Sequence, residues 1–295
     1  MAVTPEDKIR ALELWSGPID VAPLAGGITN RNYLVVEGGR RFVVRLGADI
    51  AVHHISRANE LAASRAAHAA GISPAVLHHQ PGVLVLEHID GRTLGAEDVG
   101  DPAMLPRILS LVRRTHQDIG RHLRGAAAIF WVFHVVRDYA ALLAESGSAH
   151  APSIPALLDR AETLERAAGP FEIVFGHNDL LANNFLDDGK RLWLIDWDYA
   201  GFNTPLFDLG GLASNNELSE AQERLMLETY FERPSEGGLW RRYQAMKAAS
   251  LLRESMWSMV SEMHSTIDFD YAAYTAENLA RFERAFQTFR DIEAI

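Results

Sequence analysis

Three oxygen-bearing side chains near the middle of the sequence are spaced so that they could act together. Asp179 and Asn184 are five residues apart, and Asp196 follows twelve residues later. A buried strand is predicted over 171–175, and "NFL" and "RLWLI" predict a hairpin turning at "DDGK". Because a hairpin returns the chain to its start, Asn184 and Asp196 are expected at one edge of the sheet, beside Asp179. Carboxylate and amide oxygens suit Mg²⁺ when phosphate oxygens and water complete its octahedron.

This spacing is typical of phosphoryl transfer of the protein-kinase type, in which an Asp is followed five residues later by Asn and a second Asp ends the next hairpin. Asp179 would then accept or orient the proton of the attacking hydroxyl. Asn184 and Asp196 would hold a metal that bridges the nucleotide phosphates. Three solvated turn residues are the alternative interpretation.

Two departures from protein kinases argue against a protein substrate. The triplet His177-Asn178-Asp179 lacks the arginine that binds a phosphorylated activation loop. Only eleven residues separate Asp196 from Asp208, which is too short for a segment that docks a peptide. A small-molecule acceptor is therefore expected.

The elements that would position a nucleotide come earlier in the chain. "YLVVEGGRRFVVRLG" predicts a hairpin turning at Gly38 and Gly39, which pairs Arg45 with Asn32 beside the loop "AGGITN". Backbone N–H groups and a guanidinium suit phosphate oxygens. An incidental surface arginine is the alternative. The residues expected to bind nucleotide here are Gly26, Gly27, Thr29, Asn30 and Arg45.

Two glutamates complete the predicted nucleotide site. Glu60 lies in the alanine-rich helix that starts after Ser56 and could pair with Arg45, although a solvated glutamate is the alternative. Glu87 lies in the connector Leu86 to His88, against which the adenine is expected. The coarse map is a β-rich lobe over residues 1–89 and a mainly helical lobe over residues 90–295, an α+β bilobal architecture.

Composition narrows the choice of partners. The net charge of −11 disfavours nucleic acid and anionic membranes, and zero cysteines exclude disulfides, thiolate metal sites and a cysteine nucleophile. The N-terminal residues lack a signal-peptide pattern, and the longest apolar run, "AAAIFWVF", is too short to span a bilayer. A cytoplasmic protein without membrane insertion is expected. The histidine pairs at 53–54 and 78–79 are interpreted as exposed loop residues, not as metal ligands.

Five stretches together resemble the choline/ethanolamine kinase family, within the wider aminoglycoside phosphotransferase superfamily. They are "GGITNRNY", "FVVRLG", "HNDLLANN", "IDWDYAGFNTPLFDLG" and "SMWSMVSEMHSTIDFDYAAY". The resemblance covers nearly the whole chain. It implies a bilobal protein-kinase-like fold, ATP and Mg²⁺ as cofactors, an amino alcohol as acceptor and a possible homodimer.

The resemblance also assigns roles to individual residues. Arg45 stands where other kinases have lysine. Asp198 matches an acidic position that adds a metal or water contact, with a surface turn as the alternative. Asp208 matches an aspartate that braces the catalytic loop, with helix N-capping as the alternative. His177 is expected to anchor that loop.

The acceptor site is expected towards the C-terminus. A quaternary ammonium needs aromatic faces and a carboxylate. Glu254 and Trp257 are three residues apart on a predicted helix and share a face, and Trp240 and Tyr243 repeat that spacing. Core packing is the alternative for both pairs.

Comparison with the family sharpens this acceptor site. Trp257 matches the second of two family tryptophans, Glu254 replaces the first, and Asn215 falls where the family has a glutamate. The predicted substrate residues are therefore Trp257, Glu254, Asn215 and Tyr243. Choline is the family expectation, and ethanolamine or another amino alcohol stays open.

Two other functions compete with an amino alcohol kinase. An aminoglycoside or polyol kinase of the same superfamily would need an acidic pocket, and the C-terminal part offers mainly Glu254, Glu262, Asp268 and Asp270. A nucleotide-binding regulator without catalysis is the second alternative. Against it stands the complete set of kinase residues, Arg45, Glu60, Asp179, Asn184 and Asp196.

Overall fold

The N-terminal part of the protein is built on a five-stranded antiparallel sheet. The structure is a computed structural model that describes residues 4–24, 30–170 and 172–294. The strand order is β1-β2-β3-β5-β4. Its elements are α1 (Pro5–Arg10), β1 (Ile19–Leu24), β2 (Arg31–Glu37), β3 (Arg40–Leu46), α2 (Arg57–Ala69), β4 (Val76–Gln80) and β5 (Val83–Glu87), with a 3-10 turn over Ala51–His53.

The β2–β3 hairpin sets the position of the central arginine. Gly38 and Gly39 form its turn with φ angles of 54° and 83°, which glycine adopts without a steric penalty. The register then places Asn32 opposite Arg45, as the sequence predicts.

The helix α2 packs mainly on the helical part and also contacts β4 of the sheet. One small core joins the sheet to α1 through residues such as Ile9, Val35 and Val44. The buried alanines of α2, among them Ala63 and Ala67, belong instead to the large core of the C-terminal part, where α2 packs on the long helix that follows the connector. Small side chains allow this close approach, and α2 thereby spans both parts of the molecule.

The C-terminal part is mainly helical, so the architecture is the α+β bilobal one predicted. Short strands carry the chain through the centre, paired as β6-β8-β9 and β10-β7. The elements are β6 (Arg92–Thr93), α3 (Ala96–Val99), α4 (Met104–His122), α5 (Val132–Glu145), α6 (Ile154–Ala168), β7 (Val174–Gly176), β8 (Phe185–Asp187), β9 (Leu192–Leu194), β10 (Gly201–Asn203), α7 (Pro205–Asn215), α8 (Glu220–Phe231), α9 (Gly238–His264) and α10 (Tyr271–Glu293). The division into 1–89 and 90–295 stays a prediction.

Helix α9 is the spine of the helical part and packs against α5, α6, α7 and α10. Its approach to α7 is so close that a Cβ on Gly210 would lie 2.8 Å from the Lys247 Cα, so this position requires glycine. The strong burial of α9 reflects packing on several sides. Among the helices of the described residues, none is both long and apolar enough to cross a bilayer.

Candidate active site

The loop after β7 is held by one buried carboxylate. Asp208, at the start of α7, accepts hydrogen bonds from the backbone N–H groups of His177 (2.8 Å) and Asn178 (2.7 Å). The His116 Nε2 lies 2.9 Å from the same carboxylate. The N-cap of α7 is Thr204, whose hydroxyl accepts from the Leu206 N–H, so capping is not the role of Asp208.

His177 and Asn178 fix the loop from inside. Burial lowers the pKa of His177, so its imidazole is neutral and its Nε2–H donates to the Ile195 carbonyl at 2.9 Å. Asn178 has a left-handed φ of 65° and donates to the carbonyl of Tyr199 at 2.9 Å. The next side chain in the loop, Asp179, therefore has a defined position.

The structure brings together the three residues from which the sequence argument began. The Asn184 Nδ2 donates to the Asp179 carbonyl at 2.9 Å, and the Ile195 N–H donates to the Asn184 carbonyl at 3.0 Å. The chain then turns through Asp196, whose φ is 71°. The β8–β9 hairpin thus returns Asp196 to the start of β8, beside the loop that carries Asp179.

Asp179 is half-buried, and its electrostatic surroundings are unusual. Burial raises its pKa to about 8, and the neighbouring carboxylates of Glu254 and Asp196 act in the same direction. Arg253 opposes this shift. A carboxyl whose pKa lies near neutrality is suited to general acid–base chemistry.

Arg45 lies at the centre of a buried ion-pair network. Its Nη1 is 2.7 Å from a Glu60 oxygen, 2.8 Å from Asp196 and 3.2 Å from Asp198. Burial disfavours the charged guanidinium, but these three carboxylates together raise the pKa of Arg45. The pairing of Arg45 with Glu60 considered from sequence is thus present in the structure.

Asp198 is enclosed by cations and an amide. The Asn30 Nδ2 donates to it at 2.8 Å, and the Arg57 Nη1 donates at 2.8 Å. The same Arg57 nitrogen is 2.7 Å from Glu60. Burial and the neighbouring Asp196 raise the pKa of Asp198. As a metal ligand, Asp198 stays a prediction.

Arg57 was missed by the sequence analysis. Its spacing of three residues from Glu60 on one helix was the available signal, since i,i+3 pairs face each other. The signal was weak because such pairs are common on exposed helices.

Of the other residues predicted to bind the nucleotide, the structure describes Glu87 but not the three in the glycine loop. Gly26, Gly27 and Thr29 lie outside the described residues. Glu87 is exposed at the end of β5, and its backbone N–H already donates to the Ala75 carbonyl at 2.9 Å. An adenine ring would therefore have to use other backbone groups of the connector.

A pocket beside Asp179 unites two of the predicted acceptor residues. Glu254 and Asn215 line it together with Asp179 and Arg253. The Glu254 carboxylate accepts from the Tyr274 hydroxyl at 2.9 Å and from the Arg253 Nη1 at 2.8 Å. Arg253 and Tyr274 were not singled out by the sequence analysis.

Trp257 lies one helical turn beyond Glu254 in an aromatic cluster. Its indole N–H donates to the Tyr199 hydroxyl at 2.9 Å. Its ring centroid is 6.1 Å from Tyr271 and 6.5 Å from Tyr274. On the N-terminal side, the His53 ring stacks on it at 4.9 Å. The expectation that His53 is an exposed loop residue is therefore wrong, because this packing buries it.

Tyr243 does not line this pocket, and neither do the acidic residues Glu262 and Asp270. Tyr243 is fully buried and packs on Trp240 at 5.4 Å, which is the core alternative that its spacing left open. Glu262 lies near His150 and Thr275, and Asp270 caps α10. The pocket is thus less acidic than a polycationic acceptor would need.

The donor set fits a hard divalent cation completed by phosphate oxygens. Within the described residues, no three His, Cys, Asp or Glu side chains are grouped to hold a metal by themselves. Asn184 and Asp196 offer an amide and a carboxylate oxygen on adjoining segments, which is the chemistry Mg²⁺ prefers. Asp196 is also paired with Arg45, so a cation would compete with that arginine.

The bilobal fold and this constellation define a phosphotransferase of the protein-kinase-like class. The model of the phosphotransferase enzyme family, APH, matches residues 20–246, which is most of the chain. The protein belongs to this family, and the kinase-like fold predicted from sequence is confirmed.

Three proteins similar to this chain make the resemblance more specific. Protein LicA of Haemophilus influenzae is 26% identical over 285 residues, covering 90% of this chain and 79% of that protein. Ethanolamine kinase 2 of Rattus norvegicus is 25% identical over 270 residues, covering 82% and 68%. The crystal structure of a choline/ethanolamine kinase family protein from Mesorhizobium loti has a TM-score of 0.78 and 28% identity, covering 97% and 96% of the two chains. The resemblance stated from the sequence is confirmed.

Proposed function

We propose that this protein is a kinase that transfers the γ-phosphoryl group of ATP to the hydroxyl of choline, ethanolamine or a related amino alcohol. The observation that carries the proposal is the pocket in which Glu254 lies beside Asp179. An ammonium group held by Glu254, with Tyr274 and Trp257 nearby, would present the hydroxyl of a short amino alcohol to the Asp179 carboxylate. The names of the similar kinases support the same acceptor class.

Asp179 is the proposed catalytic residue of the transfer. The acceptor oxygen attacks the γ-phosphorus, the bond from that phosphorus to the β,γ-bridging oxygen breaks, and ADP leaves. The hydroxyl proton passes to the Asp179 carboxylate. The backbone N–H groups of His177 and Asn178 donate to Asp208, and these hydrogen bonds hold the loop that carries the Asp179 carboxylate.

Asn184 and Asp196 are the residues that would hold Mg²⁺, and Asp198 is a further candidate. When bound, the cation offsets negative charge on the nucleotide phosphates. Arg45 is positioned to bind phosphate oxygens at the same place, since it already contacts Asp196 at 2.8 Å. Nucleotide binding would therefore exchange carboxylate contacts of Arg45 for phosphate contacts.

The first experiment is Mg²⁺-dependent ADP release with choline, ethanolamine, other amino alcohols and aminoglycosides as acceptors. We expect turnover with an amino alcohol and a loss of about a hundred- to ten-thousandfold in kcat for Asp179→Asn, since the base is removed. Nucleotide binding should stay nearly intact, because Asp179 is not a proposed metal ligand. Asp291→Asn, an exposed carboxylate on α10, is the matched control and should leave turnover unchanged.

Two results would contradict the proposal. Stimulation by aminoglycosides alone would move the protein to another acceptor class. Nucleotide binding without turnover of any acceptor would favour the regulator. The cytoplasmic location and the homodimer stay predictions.

A further inference from the structure

Arg253 is a buried cation inside the acceptor pocket. Its residue is 4% exposed, and it lines the same pocket as Asp179, Asn215 and Glu254. The guanidinium lies over the Tyr199 ring at 4.4 Å and near the Phe130 ring at 5.6 Å. Two aromatic contacts of this kind fix the plane of the guanidinium group.

Among the residues that the structure describes, most of the hydrogen-bonding capacity of Arg253 is unused, because three of its five N–H donors are on unpaired nitrogens. Its Nη1 donates to Glu254 at 2.8 Å. Its Nε and Nη2 are buried and have no hydrogen-bond partner within the described residues. Charged donors left unpaired in the interior are costly, so such an edge points to a ligand group that pairs with it. The Nε–Nη2 edge of arginine matches the two oxygens of a carboxylate.

The charges of the pocket point the same way. Glu254 is the carboxylate that would attract an ammonium, but Arg253, 2.8 Å away, already neutralises it. A simple cation would therefore gain little from this pair. An acceptor that carries both charges can place its ammonium at Glu254 and its carboxylate at Arg253, and both ion pairs are then kept.

We propose that the acceptor is an amino alcohol that also carries a carboxylate, which is bound by the Nε–Nη2 edge of Arg253. The ammonium group of the same molecule lies at Glu254 and Tyr274, and its hydroxyl faces Asp179. This inference rests on the proposed function and narrows its acceptor class. Arg253 becomes the residue that distinguishes a zwitterionic from a cationic acceptor.

The test uses two matched pairs of acceptors that differ mainly by one carboxylate. The pairs are ethanolamine with serine, and choline with carnitine, and kcat/KM is measured for each with the wild-type protein. We expect the carboxylate-bearing member to be preferred in at least one pair by about tenfold or more. Preference for ethanolamine and choline in both pairs would overturn this inference and leave the amino alcohol kinase standing. No turnover of any of the four would overturn both.

Variants locate the preference on one side chain. Arg253→Met keeps the length of the side chain and removes its charge, so it should lower kcat/KM for the carboxylate-bearing member about ten- to hundredfold more than for its partner. Glu254→Gln should weaken both members alike, because both carry an ammonium. Arg166→Met, on the exposed face of α6, is the matched control and should change neither. Equal losses for both members in Arg253→Met would mean that Arg253 only balances the charge of the pocket. The wild-type comparison decides the matter even if Arg253→Met does not fold.

Discussion

At the scale of single residues, Asp179 combines a fixed backbone with a perturbed carboxyl. Its neighbours His177 and Asn178 hold the loop, while burial and Glu254 disfavour its ionised form. A base of this kind is ionised only when the pH reaches the upper end of the neutral range.

The pKa of Asp179 can be measured directly in the unliganded protein. We expect its ¹³C carboxyl resonance, assigned by difference with Asp179→Asn, to titrate with a midpoint of about 8. The fraction of ionised base should then fall tenfold per pH unit below the midpoint. A midpoint near the ordinary aspartate value of about 3.9 would show that water reaches the loop more freely than its burial indicates.

Sequence reasoning was strong for Asp179, Asn184 and Asp196 because their convergence depends on one local hairpin. It was weak for Arg253. An arginine in a helical pattern normally lies in solvent, and its burial follows only from helices packing around α9. Nothing in the spacing of residues near 253 carries that information.

At the scale of elements, Arg45 joins three segments that are distant in sequence. It lies on β3, Glu60 lies on α2, and Asp196 and Asp198 lie after β9. Removing one partner from a buried network leaves the others uncompensated.

Arg45→Met should therefore destabilise the protein by roughly 3–5 kcal/mol, measured as the free energy of unfolding in urea. The matched control is Arg41→Met on the same strand. Arg41 is largely exposed and pairs with the exposed Asp90, so its loss should cost no more than about 0.5 kcal/mol. Equal effects of the two substitutions would mean that the Arg45 network adds nothing to stability.

The sequence predicted elements best where a turn fixes them. The β2–β3 hairpin has the expected turn and register, because two glycines determine both. The strand expected over 171–175 forms instead as Val174–Gly176, with Ile173 68% exposed. Pairing with β10 decides where that strand begins, and β10 lies far along the chain.

At the scale of the whole molecule, His53 links the N-terminal part to helix α9 near Trp257. It ends the 3-10 turn after β3, stacks on Trp257 and contacts the Ser261 hydroxyl at 3.0 Å through Nε2. Burial lowers its pKa to about 3. The ring is therefore neutral in the folded protein and protonated in the unfolded chain over a wide acidic range.

This difference makes stability depend on pH. The pKa of His53 is about 6.5 in the unfolded chain and about 3 in the folded protein. The free energy of unfolding therefore falls progressively as the pH falls from 6.5 towards 3. The loss approaches roughly 1.4 kcal/mol per pH unit at most. We expect His53→Phe to flatten the fall in unfolding free energy between pH 6.5 and 4. Val52→Ala, a substitution in the same turn that removes no titratable group, should leave the slope of wild type, and an unchanged slope in His53→Phe would refute the assignment.

The composition and the resemblance were sufficient for the bilobal architecture, but not for the place of α2. Its alanines pack into the large core, which no local pattern shows. The helix that carries Glu60 thus packs mainly in the core of the helical part, whereas the sheet that carries Arg45 has a small core of its own.

The residues proposed for phosphoryl transfer and those proposed for acceptor binding lie mostly on different segments, and this separation has an evolutionary consequence. Apart from Arg45 on β3, the groups proposed for phosphoryl transfer lie between His177 and Asp198, whereas Arg253, Glu254 and Trp257 lie on one separate helix. Substitutions on that helix can alter which metabolite is accepted while leaving those groups in place, although Arg253 and Glu254 also act on the pKa of Asp179. Related proteins can therefore diverge in acceptor specificity through substitutions within one stretch of about two helical turns.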